Sequence, residues 1–335
     1  MPWKGEKNPY KIWLSEIILQ QTRVEQGRAY YERFIKAFPT VYLLAAAPEK
    51  KVFKYWEGLG YYNRCKNLIE TAKIITRVYG GKFPSSYPDI IGLKGIGPYT
   101  AAAIASFAFN LPYAVVDGNV ERVIARYFGI TTPVDTAAGK KFYTELANVL
   151  LDKKQAGIYN QSIMDFGATV CKPKNPLCLS CVQNHECQAH LTGKVSMLPL
   201  KKKSVEKKTR WLYYFIIGFK DKVYIKQRLE DDIWKNLYEF VLFESDKPMK
   251  QEALTESGFF KRLSGKTRFL IRSYSEIYKQ ELTHQTVYGQ FIQMEVFAAL
   301  PLLKQHKLIK KIDLGQFPFP GFMASFLRQN GHERG

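Results

Sequence analysis

Leu93-Lys94-Gly95-Ile96-Gly97-Pro98-Tyr99-Thr100 runs directly into the alanine-rich stretch Ala101-Ala102-Ala103-Ile104-Ala105. Two glycines one residue apart let the backbone turn tightly and bring its amides close to an anion. Pro98 suits the first position of a helix, and a helix N-terminus favours a phosphate. A dinucleotide-binding fingerprint would need a strand before the glycines and a third glycine after them. PDIIGLKGIGPYT offers neither, so the stretch reads as a DNA-binding hairpin at Gly95 and Gly97.

Downstream, Cys171, Cys178, Cys181 and Cys187 fall as C-x6-C-x2-C-x5-C within CKPKNPLCLSCVQNHEC. Four thiolates in so short a span suit tetrahedral zinc or one [4Fe–4S] cluster. Two disulfides are the alternative, but no secretory signal is visible and a chain of this size has no need of such staples. The fifth cysteine, Cys65, reads as a packed helix residue. Charge points the same way as the hairpin. The 335 residues carry 50 Lys and Arg against 30 Asp and Glu, a formal charge of +20. Such a chain has a polyanionic partner, nucleic acid first, unless the excess serves solubility alone. At 46% hydrophobic residues there is room for two ordinary cores. No apolar run approaches a membrane span and no export segment is visible, so a reducing cytoplasm and no membrane partner are expected.

Apolar residues at three- and four-residue spacing make residues 1–193 a helical domain, in stretches such as KIWLSEIILQQT and NVERVIARYF. KVSMLPLKKKSVEKKTR then loses periodicity, and 194–210 reads as a basic linker, on the DNA side or simply solvated. From 211 to 335 the texture is that of strands: WLYYFIIGF, KVYIKQR, LYEFVLF and TVYGQFIQMEVF, closed by the helix PGFMASFLRQN. The expected architecture is a mainly α domain followed by a smaller α+β domain.

Two carboxyl groups could carry chemistry. Asp117, in VVDGNVERVIARYF, stands at a D-G-N turn before a helix, whose positive end keeps it ionised. Taken alone, Asp117 or Asn119 is equally a helix N-cap. Glu16 lies among Ile12, Trp13, Leu14, Ile17, Ile18 and Leu19, on a helix with almost no polar face. Burial there raises a carboxyl pKa and fits it to act as an acid. The other reading is a Glu16 that points out through a narrow polar window with Gln20 and Arg23.

The segments PW, PYKIWLSEIILQQT, WEGLGYYNR, LKGIGPYT, VVDGN and the cysteine loop, in this order, resemble the adenine DNA glycosylases of the MutY type, which remove adenine mispaired with 8-oxoguanine. The resemblance is firm to about residue 190 and looser beyond. It implies a helix-hairpin-helix glycosylase domain with a [4Fe–4S] cluster on Cys171, Cys178, Cys181 and Cys187 (loop 171–187), where Lys172 and Lys174 would meet a phosphate backbone. It implies Glu16 as general acid on adenine and Asp117 as the carboxylate that stabilises the sugar cation. Asn119 would help hold that aspartate and the attacking water, and Tyr99 would position Glu16. Trp3 and Gln161 match the adenine pocket. Gln21 and Tyr61 match wedges around the oxidised guanine, with Gln20 and Thr22 beside Gln21 at the DNA. Without the resemblance, Tyr61 is a core aromatic and Gln21 a helix-surface amide.

The second domain resembles a Nudix-like lesion reader. Trp234-Lys235-Asn236-Leu237-Tyr238-Glu239-Phe240 stands for a W-G-G-L-Y-E-F strand, and Leu282, Thr283 and His284 fall where relatives have Phe-Ser-His. No acidic Nudix helix is present, which argues against a pyrophosphohydrolase. The endonuclease III type differs by a lysine where this chain has Tyr99, so a monofunctional hydrolase without strong abasic-lyase activity is expected. The implied partner is double-stranded DNA with A:8-oxoguanine or A:G mispairs, met by a monomer in a bacterial-type, nucleoid-associated cytoplasmic setting. Relatives carry a helix before the segment matched by Met1-Pro2-Trp3, so either the start is assigned late or that helix is absent. A non-enzymatic DNA-lesion binder or regulator built on the same scaffold is the other reading; loss of either carboxylate would favour it, and both are present.

Overall fold

Asn8 starts the first helix, its side-chain oxygen accepting from the amides of Tyr10 (2.9 Å) and Lys11, with Pro9 at the first helical position. A computed structural model describes residues 4–20, 22, 24–202, 207–265, 267–282 and 284–330. Trp3, Gln21 and Thr283 lie outside the described residues. The helices up to the cysteine loop are α1 (Pro9–Leu19), α2 (Val24–Ala37), α3 (Val41–Ala46), α4 (Glu49–Trp56), α5 (Tyr62–Val78), α6 (Tyr87–Ile91), α7 (Pro98–Phe109), α8 (Gly118–Phe128), α9 (Ala137–Leu150) and α10 (Ala156–Thr169), with α11 (Gln188–Leu191) after it. Among the described residues no helix is long and apolar enough to cross a membrane.

The chain divides into two units, Met1–Ala47 with Lys66–Ser204, and Pro48–Cys65 with Val205–Gly335. In the first, α1 packs on α7. Ala101, Ala102, Ala103 and Ala105 are buried on α7, and such small side chains let α1 come close. Ile12, Trp13, Leu14, Ile17 and Ile18 fill α1's surroundings, each worth about 1.5–3 kcal/mol on burial. A second cluster of Val120, Ile124, Ala125, Tyr143 and Ala147 joins α8 to α9. The stretch read as a linker is partly built into this unit. Leu198 is buried, the amide of Val134 donates to the Leu200 carbonyl at 3.0 Å, and that of Lys202 donates to Asp135 Oδ1 at 2.7 Å.

In the second unit the strands are β1 (Lys208–Phe219), β2 (Lys222–Gln227), β3 (Tyr238–Glu239), β4 (Val241–Ser245), β5 (Phe269–Tyr274), β6 (Tyr278–Glu281), β7 (Gln285–Val296) and β8 (Lys307–Lys310). They form one mixed sheet with the path β3-β2-β1-β7-β5, in which β4 also pairs with β1, β6 with β7 and β8 with β2. Among the described residues only β1 and β7 run parallel, in register from Lys208–Gln285 to Gly218–Glu295. β1 is buried on both faces, so its sequence is a near-continuous apolar run. Tyr213, Phe215 and Ile217 share one cluster with Leu254 of α12 (Gln251–Glu256) and Phe260 of α13 (Gly258–Ser264). On the other face, Tyr214 and Phe291 meet Phe322 of α14 (Gly321–Gln329). The two parts of the unit are tied where the Phe319 amide donates to Glu57 at 2.8 Å and the Tyr62 hydroxyl donates to the Phe319 carbonyl at 3.4 Å.

The strand expected over Trp234–Phe240 is shorter. Trp234 (φ 63°) and Asn236 (φ 72°) adopt left-handed backbone, and only Tyr238–Glu239 pairs as β3 before Phe240. Asparagine tolerates that conformation, which replaces the freedom of the glycine it stands for.

Candidate active site

The hairpin lies between α6 and α7. Gly95 turns in the left-handed region (φ 75°), and Gly97 caps α7 with Pro98 at its first position. A helix, not a strand, precedes the glycines, which removes the dinucleotide alternative. A Cβ on Gly95 would stand 2.6 Å from that of Asn67, so a side chain is excluded twice over. The Thr71 hydroxyl donates to the Lys94 carbonyl at 2.6 Å and pins the turn to α5.

One residue beyond Pro98, Tyr99 is a hydrogen-bond donor to Glu16 on α1. Glu16 is buried, not directed out through a polar window. Its pKa is raised to about 7: burial raises it most, Tyr99 pulls it back by bonding to the carboxylate, and the charge of Asp117 adds to the rise. Burial, with the neighbouring Glu16 and Asp117 carboxylates, holds the Tyr99 phenol well above its ordinary value, so it remains a donor. A cavity of about 180 Å³ opens on Glu16, lined also by Ser15, Phe107, Gly157, Ile158 and Gln161. Gln161 Nε2 donates to Asp165 at 3.2 Å, which orients its amide.

Asp117 caps α8. Its Oδ1 accepts from the amides of Asn119 and Val120, both at 2.8 Å, and its Oδ2 accepts from Asn119 Nδ2 at 2.7 Å. Asp117 is thus the N-cap of α8, and the helix terminus that it satisfies also fixes its carboxylate. A second depression, of about 440 Å³, opens on Asp117, Asn119, Glu121 and Lys201.

A buried carboxyl with raised pKa thus stands beside a carboxylate fixed at a helix N-terminus, behind a Gly-x-Gly hairpin. The HhH-GPD superfamily of base excision DNA repair proteins matches residues 14–146. The adenine DNA glycosylase of Buchnera aphidicola subsp. Baizongia pistaciae is 38% identical over 245 residues, covering 72% of this chain and 69% of its own. The corresponding protein of Buchnera aphidicola subsp. Acyrthosiphon pisum is 38% identical over 256 residues, covering 76% and 71%. The chain belongs to the adenine DNA glycosylase family. A solved thermostable thymine-DNA glycosylase is 31% identical with a TM-score of 0.53, over 57% of this chain and 88% of that one. The protein is accordingly a hydrolase, a DNA N-glycosylase of base excision repair.

In this glycosylase two buried arginines, missed in the sequence reading, join Asp117's turn to the cysteine loop. Arg122 donates to Asn119 Oδ1 (2.9 Å), Gly167 O (2.7 Å), Gly118 O (3.1 Å) and Cys171 O (2.7 Å). By holding Asn119's oxygen it leaves the Asn119 Nδ2 group to point at Asp117. Arg126, one turn on, donates to Lys172 O at 2.8 Å and Leu198 O at 3.0 Å, with Nη1 3.5 Å from Cys171 Sγ. The signal was present as Arg122-x3-Arg126 on the face of α8 that also carries apolar residues. Buried arginines at that spacing must find acceptors.

Cys171, Cys178, Cys181 and Cys187 are free thiols lining a single cavity of about 50 Å³ with Val170 and Leu177. Four soft donors around one apolar space fit a cluster held by thiolates. Cys65 is a buried free thiol on α5, pushed up by burial, which suits packing and not nucleophilic work.

The remaining residues named from the sequence are placed as follows. Gln20 Nε2 donates to Thr100 Oγ1 at 3.2 Å, and Thr22 Oγ1 donates to Gln20 O at 3.4 Å, so both sit where α1 meets the start of α7. Tyr61, Leu282 and His284 belong to the second unit. Tyr61 is 46% exposed with a left-handed φ of 49°, a conformation unusual for an aromatic residue. Leu282 and His284 precede β7, and there the amide of Leu282 donates to the Gln285 carbonyl at 2.8 Å and the carbonyl of His284 accepts from the Lys208 amide at 3.1 Å.

Proposed function

We propose that this glycosylase hydrolyses the N-glycosidic bond of adenine mispaired with 8-oxoguanine, or with guanine, in double-stranded DNA. The observation that carries this reading is the difference between two carboxyl groups: Glu16, buried and raised to about 7, and Asp117, held by three hydrogen-bond donors at a helix N-terminus. A buried carboxyl that holds its proton supplies an acid, and a carboxylate fixed by donors beside it supplies an anion for a developing cation. Adenine, turned out of the duplex, enters the cavity at Glu16 with Trp3 and Gln161 against it. Glu16 gives its proton to a ring nitrogen, the bond to the sugar breaks, and adenine leaves neutral. Asp117 stabilises the cation left on the sugar. Water then adds to the sugar carbon and sheds one proton, which replaces the one Glu16 gave. Asn119 orients Asp117 and the water, and Tyr99 orients Glu16.

With tyrosine and not an amine at position 99, no Schiff base forms with the abasic sugar. Cys171, Cys178, Cys181 and Cys187 would hold a [4Fe–4S] cluster. When bound, that group fixes the loop carrying Lys172 and Lys174 and supplies no step of the hydrolysis. Gly95 and Gly97 present amides to a phosphate, Gln20, Gln21 and Thr22 meet the duplex, and Tyr61 enters the stack beside the oxidised guanine. The second unit, Nudix-like in this reading, reads that base through Leu282, Thr283 and His284. A place in the cytoplasm at the nucleoid fits such a substrate.

The test uses duplexes with A opposite 8-oxoguanine, G or T, each followed by hot alkali. Strand scission on the first two and little on A:T is expected, and only after alkali. Equal scission of all three would contradict mispair recognition, and scission without alkali would restore a lyase.

A further inference from the structure

We propose that Glu121 speeds release of the abasic product by repelling the phosphodiester that enters the depression beside Asp117. The inference rests on the reading of Asp117 as the group beside the reacting sugar, because the same depression is lined by Asp117, Asn119, Glu121, Ser196 and Lys201. Whatever part of the strand adjoins that sugar must pass this wall.

Glu121 stands one turn after Asp117 on α8, on the same side of the helix. It is half-buried; its backbone amide donates to the Asp117 carbonyl at 2.9 Å, and among the described residues its carboxylate makes no ion pair or hydrogen bond. In a chain of net charge +20, a carboxylate that no lysine or arginine pairs directly, at the mouth of the site, opposes binding of a polyanion. Its place in the first turn of α8 gives it some favourable interaction with the helix terminus. That accounts for its tolerance in the fold and leaves its effect on a bound polyanion intact. The groups that face it are Asp117 on its own helix, Asp135 before α9, Lys140 and Tyr143 on α9, and Lys201. Burial and Asp117 raise its pKa, and Lys201 and Lys140 lower it, with the raising influences dominant. Its charge is therefore lost on acidification earlier than that of an ordinary exposed glutamate.

Product release sets the turnover of many enzymes, so a carboxylate that weakens the product complex raises steady-state rate without touching the bond that breaks. The experiment measures dissociation of the full-length protein from a duplex carrying a tetrahydrofuran abasic analogue opposite 8-oxoguanine. Glu121→Gln is expected to release it about threefold or more slowly at low salt. Glu121→Asp should release it as the wild type does, and Glu121→Lys should steepen the salt dependence of affinity by about one phosphate contact. As pH falls, the gap between wild type and Glu121→Gln should close. Equal release rates for wild type and Glu121→Gln at neutral pH would overturn the proposal. So would a difference unchanged by salt and pH, which would mark a structural effect. Because the analogue needs no excision, failure of wild type to remove adenine would count against the proposed function alone.

Discussion

Glu16 is where the fold and the chemistry oppose each other. Its pKa rises from 4.5 to about 7, and each unit is about 1.4 kcal/mol, so ionising it in place costs about 3 kcal/mol. The five large apolar neighbours on α1 outweigh that cost. The sign follows from proton binding: between the unfolded and folded pKa the folded state holds the extra proton, so stability falls as pH rises through this window. Glu16→Gln, which keeps the shape and removes the ionisation, should therefore melt higher than wild type, with a gap that widens from about pH 5 to pH 7 and then levels. Thermal unfolding across pH checks this; a constant gap would mean Glu16 is not buried as a titrating group. Arg122 belongs to the same scale. Arg122→Lys cannot reach four acceptors at once, so Asn119 loses its orientation and excision should fall about 10–100-fold with adenine-duplex affinity much less affected. Single-turnover excision beside equilibrium binding separates the two.

At the level of elements, α8 and α10 meet through Gly167. A Cβ there would lie 2.7 Å from the Asn119 Cβ and 3.0 Å from its carbonyl oxygen. Gly167→Ala should displace the turn that carries Asp117 and lower excision at least tenfold while leaving the second unit's sheet intact, measurable by single-turnover rate beside circular dichroism. A contrary case is Asn236, whose left-handed backbone suits glycine better. Asn236→Gly should stabilise the second unit by about 0.5–1 kcal/mol, and chemical denaturation would detect it. These two positions show what could be read from sequence and what could not. The hairpin, the cap at Asp117 and the four main strands were legible because each rests on local chemistry: glycine turns, a capping side chain, apolar runs. Arg122 and Gly167 act through residues 45 or more positions away along the chain. Their partners emerge only when α10 and the cysteine loop pack on α8. β5, β6, α12 and α13 were missed for a related reason: their exposed faces dilute the alternation that marked β1 and β7.

On the scale of the whole molecule, the second unit is discontinuous in sequence. WEGLGYYNR lies within Pro48–Cys65, which groups with Val205–Gly335, and no local signal announces that grouping. A truncation near residue 205 would therefore strip Glu57 and Tyr62 of their Phe319 partners as well as remove the strands. His284→Ala or Leu282→Ala is the cleaner probe of lesion reading, with the ratio of A:8-oxoguanine to A:G excision as the observable. The central claim is that Glu16 is the acid that releases adenine. Its most direct test is the single-turnover rate of adenine excision from an A:8-oxoguanine duplex between pH 5 and pH 9, for wild type and Glu16→Gln. The wild-type rate should fall as pH rises through about 7, where Glu16 loses its proton, and the variant should be at least about 100-fold slower with no such limb. A variant within tenfold of wild type, or one that keeps the same limb, would contradict it.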